Sequence, residues 1–151
     1  MKRTKAGIFR KDSYNSNNDW AIDKVINYLE KKGYMVEYKD QEDYDIDIIC
    51  YKNTLKHKVE VEVKNTYFFD EESYPFDTVS FLKRKQKYSK NSPFYYFLLC
   101  AKNDAFLYCD SDTIYQSKYY VKTDINTSQR YGKDEFYRVP KHLCKFRKFK
   151  K

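Results

Sequence analysis

The chain has 151 residues, the length of one domain, with 41 % apolar and 34 % charged residues and only three Gly and three Pro, a globular composition. Seventeen Tyr and eleven Phe supply ample apolar surface for a core, which argues against disorder, and no apolar run approaches the roughly 20 residues that span a bilayer. The net charge is +8, but residues 1–11 and 141–151 hold eleven of the 30 bases and no acid, leaving 19 bases against all 22 acids between them.

In chain order, residues 1–15 read as a basic, loosely held segment. No apolar stretch follows Met1-Lys2-Arg3-Thr4-Lys5, so no signal peptide is expected. Residues 16–19 are capping types. Ala21, Ile22, Val25, Ile26 and Leu29 then recur at helical spacing and Gly33 supplies a stop, which predicts a helix over 18–32. Residues 34–38 alternate weakly, as a first strand. Residues 44–51 read as a second strand, with Ile46, Ile48 and Cys50 on one face and Asp45, Asp47 and Ile49 on the other. After a turn at 52–56, residues 57–64 alternate strictly: Val59, Val61 and Val63 against Glu60, Glu62 and Lys64. This is the pattern of a β-hairpin.

Residues 77–89 carry Val79, Leu82 and Gln86 at helical spacing beside Lys83, Arg84, Lys85 and Lys87, and predict a second helix. Residues 94–101 form an apolar run sized for a strand buried on both faces, and 105–109 a further strand. Residues 136–139 read as a last strand stopped by Pro140. The order α-β-β-β-α-β-β implies one α/β domain, a mixed sheet of about five strands flanked by helices, with basic extensions at 1–15 and 141–151.

The cysteines, Cys50, Cys100, Cys109 and Cys144, show no metal-ligand spacing and only His57 and His142 accompany them. A zinc site is therefore not expected, and free thiols in a reducing, cytoplasmic setting are. His57 reads as a surface residue. The tail Lys145-Phe146-Arg147-Lys148-Phe149-Lys150-Lys151 interleaves bases with aromatics. That pattern suits a polyanion such as nucleic acid or an anionic lipid surface, and equally a solvated, frayed end. The Lys-, Tyr-, Asn- and Ile-rich usage fits an AT-rich phage or mobile-element genome.

The hairpin carries the chemistry. Cross-strand neighbours on one face lie about 5 Å apart, so Asp45 and Asp47 on one strand can meet Glu60, Glu62 and Lys64 on the next. Packed carboxylates repel, and a divalent cation resolves the repulsion. Mg²⁺ takes one or two carboxylates and keeps waters; it polarises a phosphoryl oxygen and acidifies a bound water. The plainer use of the same residues is a solvated sheet face with cross-strand ion pairs.

Asp47 followed one hairpin later by Glu62-Val63-Lys64 resembles the D…(D/E)-x-K signature of the PD-(D/E)xK nuclease superfamily. The likeness spans about residues 17–112 and is nearest to its small Holliday junction resolvase-like members. No Pro precedes either aspartate, and the first ligand is Asp45 or Asp47; Asp47 precedes the apolar Ile48-Ile49 as family aspartates do. The resemblance implies a restriction-endonuclease-like core and Mg²⁺-dependent DNA hydrolysis, with Mn²⁺ as a substitute. It places Asp47, Glu62 and Asp45 on the metal, and Lys64 beside the attacking water. Asp23, or failing it Asp19, acts through the metal's waters, with Glu60 behind the ligands. Lys83, Arg84, Lys85 and Gln86 would contact DNA, joined by Lys145, Arg147 and Lys148 in the tail. A homodimer follows for cleavage of both strands. The alternative is a non-catalytic nucleic-acid-binding module on the same fold.

Overall fold

The computed structural model describes residues 19–37, 46–126 and 131–149. The first helix, α1 (Asp19–Lys31), runs as the periodicity predicts and buries Ala21, Ile22, Val25, Ile26 and Leu29. It stops at Gly33, whose φ of +96° lies in the left-handed region that a side chain opposes. Strands β1 (Met35–Glu37), β2 (Ile48–Lys52) and β3 (Leu55–Lys64) form an antiparallel meander. The β2–β3 turn places Asn53 and Thr54 at φ 53° and 68°, positive at both centres as a tight hairpin requires.

The expected second helix over 77–89 is overturned. Residues 78–82 form a strand, β4 (Thr78–Leu82), followed by a 3-10 helix, Lys83–Ser89. Val79 and Phe81 are fully buried and pair with Val139 and Tyr137. Their two-residue alternation and branched or aromatic side chains suit a pleated surface, which here outweighs the sparse helical spacing.

Then come β5 (Phe94–Cys100), β6 (Ala105–Asp110), a four-residue helix α2 (Ser111–Ile114), β7 (Tyr120–Asn126), β8 (Tyr131–Pro140) and β9 (Lys145–Lys148). The main sheet has six strands, in the order β1-β2-β3-β5-β6-β9, rather than about five. β3 and β5 are its parallel pair. A separate three-stranded sheet, β4-β8-β7, was not foreseen. The predicted strand at 136–139 is the end of β8, but residues 145–148 are not a frayed tail: they pair with β6.

The protein is thus α/β, with a mixed sheet between two unlike covers. On one face α1 packs on Ile48, Cys50, Val59, Val61, Phe97, Leu99 and Phe106. On the other, Val79, Phe81, Tyr137 and Val139 of the small sheet pack on Ile49, Tyr96, Leu98, Cys100 and Leu107. A helix was expected on both faces; a sheet fills the second place. β5 lies between the two covers and is buried on both sides, as its unbroken apolar run predicts. All four cysteines are free and buried.

Candidate active site

Alternation on β3 sends Val59 and Val61 toward α1 and Glu60, Glu62 and Lys64 toward the small sheet. Ile48 pairs with Val59, so one step further along the hairpin sets Asp47 opposite Glu60. Asp47 lies just before β2, where the backbone bends away from the ladder. Its Oδ2 accepts the Val61 N–H at 2.8 Å, taking a place on β3 that a neighbouring carbonyl would otherwise fill. That bond fixes the carboxylate beside Glu60 and Glu62.

Parallel pairing with β5 sets Tyr96 next to Glu60 and Leu98 next to Glu62. The Tyr96 hydroxyl donates to Glu62 Oε1 at 3.0 Å. Lys64 Nζ stands 3.9 Å from Glu62 Oε2. From the 3-10 helix Lys85 reaches in and places Nζ 2.8 Å from Glu60 Oε2. The other oxygen of Glu60, Oε1, is buried and accepts no hydrogen bond among the described residues. Asp47, Glu60, Glu62 and Lys64 are therefore brought together, as the hairpin pattern implied, and Lys85 joins them.

The electrostatics follow from this crowding. Glu60 is only 7 % exposed, and its pKa is raised to about 8, by burial above all. Within that net value the Asp47 carboxylate also pushes upward, the Lys85 ammonium draws it back, and Glu62 adds a smaller upward push. Tyr96 is held well above the ordinary phenol value, by burial first and then by Glu62 and Glu60. Its proton stays on the hydroxyl to donate. Glu60 can exchange a proton near neutral pH, while Glu62 is held by a neutral donor and an ammonium.

The remaining expected residues are distributed differently. Asp45 lies outside the described residues. Asp23 and Asp19 sit on α1, which covers the opposite face of the main sheet from Glu60. The basic cluster is carried by a 3-10 helix, not an α-helix. Lys83 opens that helix. Arg84 stands 3.6 Å from the Asp134 carboxylate. Gln86 Oε1 accepts from the Tyr137 hydroxyl at 3.4 Å. Lys145, Arg147 and Lys148 lie on β9, three strand positions from β3. Lys148 Nζ lies 5.5 Å from the Phe69 ring centre.

His57 is not a surface residue: it is 6 % exposed and stacks on Tyr95 at 5.7 Å and 13°. Between β3 and β4, Phe68 is core while Tyr67 and Phe69 are exposed. Sequence reasoning missed Tyr96, whose role depends on which strand lies parallel to β3. It also missed that Lys85 turns inward.

The donor set is all carboxylate oxygen. Among the described residues no three His, Cys, Asp or Glu side chains form a cage for a metal ion. Mg²⁺ does not demand one, since one or two carboxylates with waters and phosphate oxygens complete its shell. Asp47 and Glu62, whose charges both act on the Glu60 carboxyl, fit that lighter requirement. No helix among the described residues is long and apolar enough to cross a membrane. No protein-family model and no curated protein matches the chain.

Proposed function

We propose that the chain is a metal-dependent endonuclease that hydrolyses DNA phosphodiester bonds, with a restriction-endonuclease-like core of the PD-(D/E)xK type. The observation that carries this reading is that Asp47, Glu62 and Lys64 share one face of the β2–β3 hairpin with Glu60, one of whose buried oxygens no described group satisfies. Like charges gathered at that density call for a cation. Asp47 and Glu62 would hold Mg²⁺ or Mn²⁺, which when bound supplies polarisation of a phosphoryl oxygen and acidification of a water.

The chain's own residues do the rest. The Val61 N–H and the Tyr96 hydroxyl fix the two carboxylates in orientation. The Lys64 ammonium holds the attacking water and balances charge that develops on the phosphate. Glu60 buffers the site's net charge by taking or releasing a proton. One site cuts one strand, so duplex or junction cleavage calls for a homodimer, inside a cell where the substrate is DNA.

A second reading is a DNA-binding module without catalysis. The 2.8 Å Lys85–Glu60 contact favours it, because Lys85 already supplies one counter-charge. One experiment separates the two: incubation with supercoiled plasmid and with labelled single-stranded, duplex and four-way-junction DNA, in Mg²⁺, Mn²⁺ or EDTA. The nuclease reading expects metal-dependent cutting that falls by about 100-fold or more in Lys64→Ala, the scale for losing one charge-stabilising group. Binding with a steep salt slope and no cutting in either metal would overturn it for the second reading.

A further inference from the structure

The tail residue Arg147 has a second setting that the proposed nuclease site does not use. It lines a cavity of about 230 Å³ on the α1 side of the main sheet, the face away from Glu60. Two lysines join it there, Lys32 from the end of α1 and Lys52 from the end of β2. The left-handed turn at Gly33 and the pairing of β1 with β2 bring them to one rim. No acid lines the cavity. Among the described residues none of the three cations has a carboxylate within ion-pair distance.

The walls are phenols. The Tyr28 and Tyr108 rings lie with their centres 6.5 Å apart, and the Arg147 guanidinium, which donates to the Phe146 carbonyl at 2.9 Å, lies close enough to act on the Tyr28 hydroxyl. Tyr34 and Tyr95 close on His57 from two sides, edge-on at 5.2 Å and stacked at 5.7 Å. The rings are braced from behind: Tyr108 stacks on Phe97 at 4.9 Å, and Tyr28 meets Phe106 edge-on at 5.0 Å. Lys32 Nζ stands 5.4 Å from the Tyr28 ring centre and Lys52 Nζ 5.0 Å from that of Tyr34. Burial holds the Tyr28 hydroxyl up to about 12, so it keeps its proton as a donor.

Three uncompensated cations on one rim repel each other, and a phosphate dianion removes that repulsion with charge-assisted bonds. Fixed aromatic rings offer a planar base a stacking surface at little entropic cost. The volume is below the roughly 300–1,000 Å³ usual for drug-sized ligands, which suits one nucleotide and excludes a duplex. We propose that this pocket binds a nucleoside 5′-monophosphate group, with phosphate on Lys32, Lys52 and Arg147 and the base against the tyrosines. The group has two sources, a free nucleotide or the 5′-phosphorylated end of a strand.

The test is calorimetric titration in EDTA, on the full chain carrying Lys64→Ala so that the β3 face does not contribute. The probes are dTMP, thymidine, inorganic phosphate and a 5′-phosphorylated tetrathymidylate. Binding of dTMP is expected to be at least tenfold tighter than that of thymidine or phosphate. It should weaken tenfold or more in Arg147→Gln and in Lys52→Gln. Lys52 lies at the hairpin end, so its variant keeps the test alive if the Arg147 variant unfolds. Tetrathymidylate binding as tightly as dTMP assigns the pocket to strand ends; its exclusion assigns it to free nucleotides. No dTMP binding, phosphate binding as tightly as dTMP, or binding indifferent to both substitutions would each overturn the proposal. Because metal-dependent cleavage is read in a separate assay, loss of either function leaves the other standing.

Discussion

Replacing Glu60 by Gln keeps the shape of the side chain and removes its titration. In the wild type, burial beside Asp47 lifts the Glu60 pKa from an ordinary 4.5 to about 8. Between those values the folded state binds more protons than the unfolded state. Unfolding free energy therefore falls as pH rises, by at most about 1.4 kcal/mol per pH unit. The stabilising contribution of the neutral carboxyl is full below pH 4.5 and gone above pH 8, an upper limit of about 5 kcal/mol over the window. Glu60→Gln has no such slope. The assay is urea unfolding of both proteins from pH 5 to 9 in EDTA. The difference in stability, Glu60→Gln minus wild type, should rise by several kcal/mol with pH and level off above pH 8. Taking the difference cancels groups common to both proteins. A difference that stays flat across the range would refute the burial argument, and with it the case for a cation-seeking site. Under the proposed function, Mg²⁺ should flatten the wild-type slope by favouring ionised Glu60.

Phe81→Ala should cost about 3–5 kcal/mol in denaturant unfolding, because Phe81 is fully buried between the sheets and meets the Tyr96 ring at 5.0 Å. A loss below 1 kcal/mol would contradict β4 as a core strand. Gly33→Ala should destabilise by about 1 kcal/mol. The added methyl meets only Lys52 Cε at 3.8 Å, so backbone strain at φ +96° is the whole effect, and an unchanged midpoint would argue against that turn. Removing residues 145–151 uncovers the apolar edge of β6, so the shortened chain should form aggregates in light scattering that are much larger than the species the full chain forms. A monodisperse product would show β9 to be dispensable as an edge guard.

Local pattern alone determined the parts of the fold whose signals lie within one turn or one strand. The apolar spacing from Ala21 to Leu29, with Gly33 after it, specifies α1. Strict alternation from Val59 to Lys64 specifies β3 and the face on which Glu60, Glu62 and Lys64 stand together. The unbroken apolar run from Phe94 specifies a strand covered on both sides. These signals are covalent in range, so no knowledge of distant chain is needed. Tertiary structure decided the rest. Thr78–Leu82 carries too few residues to choose between helix and strand, and pairing with β8 chooses strand. The bases of 145–148 suggested a free end, yet the open edge of β6 takes them up. Tyr96 reaches Glu62 only because β3 and β5 run parallel in one register, and Lys85 turns inward only because the 3-10 helix lies over Glu60. His57 is buried because Tyr34 and Tyr95 close around it. Each of these outcomes depends on partners that are remote in sequence and adjacent only after the sheet has assembled.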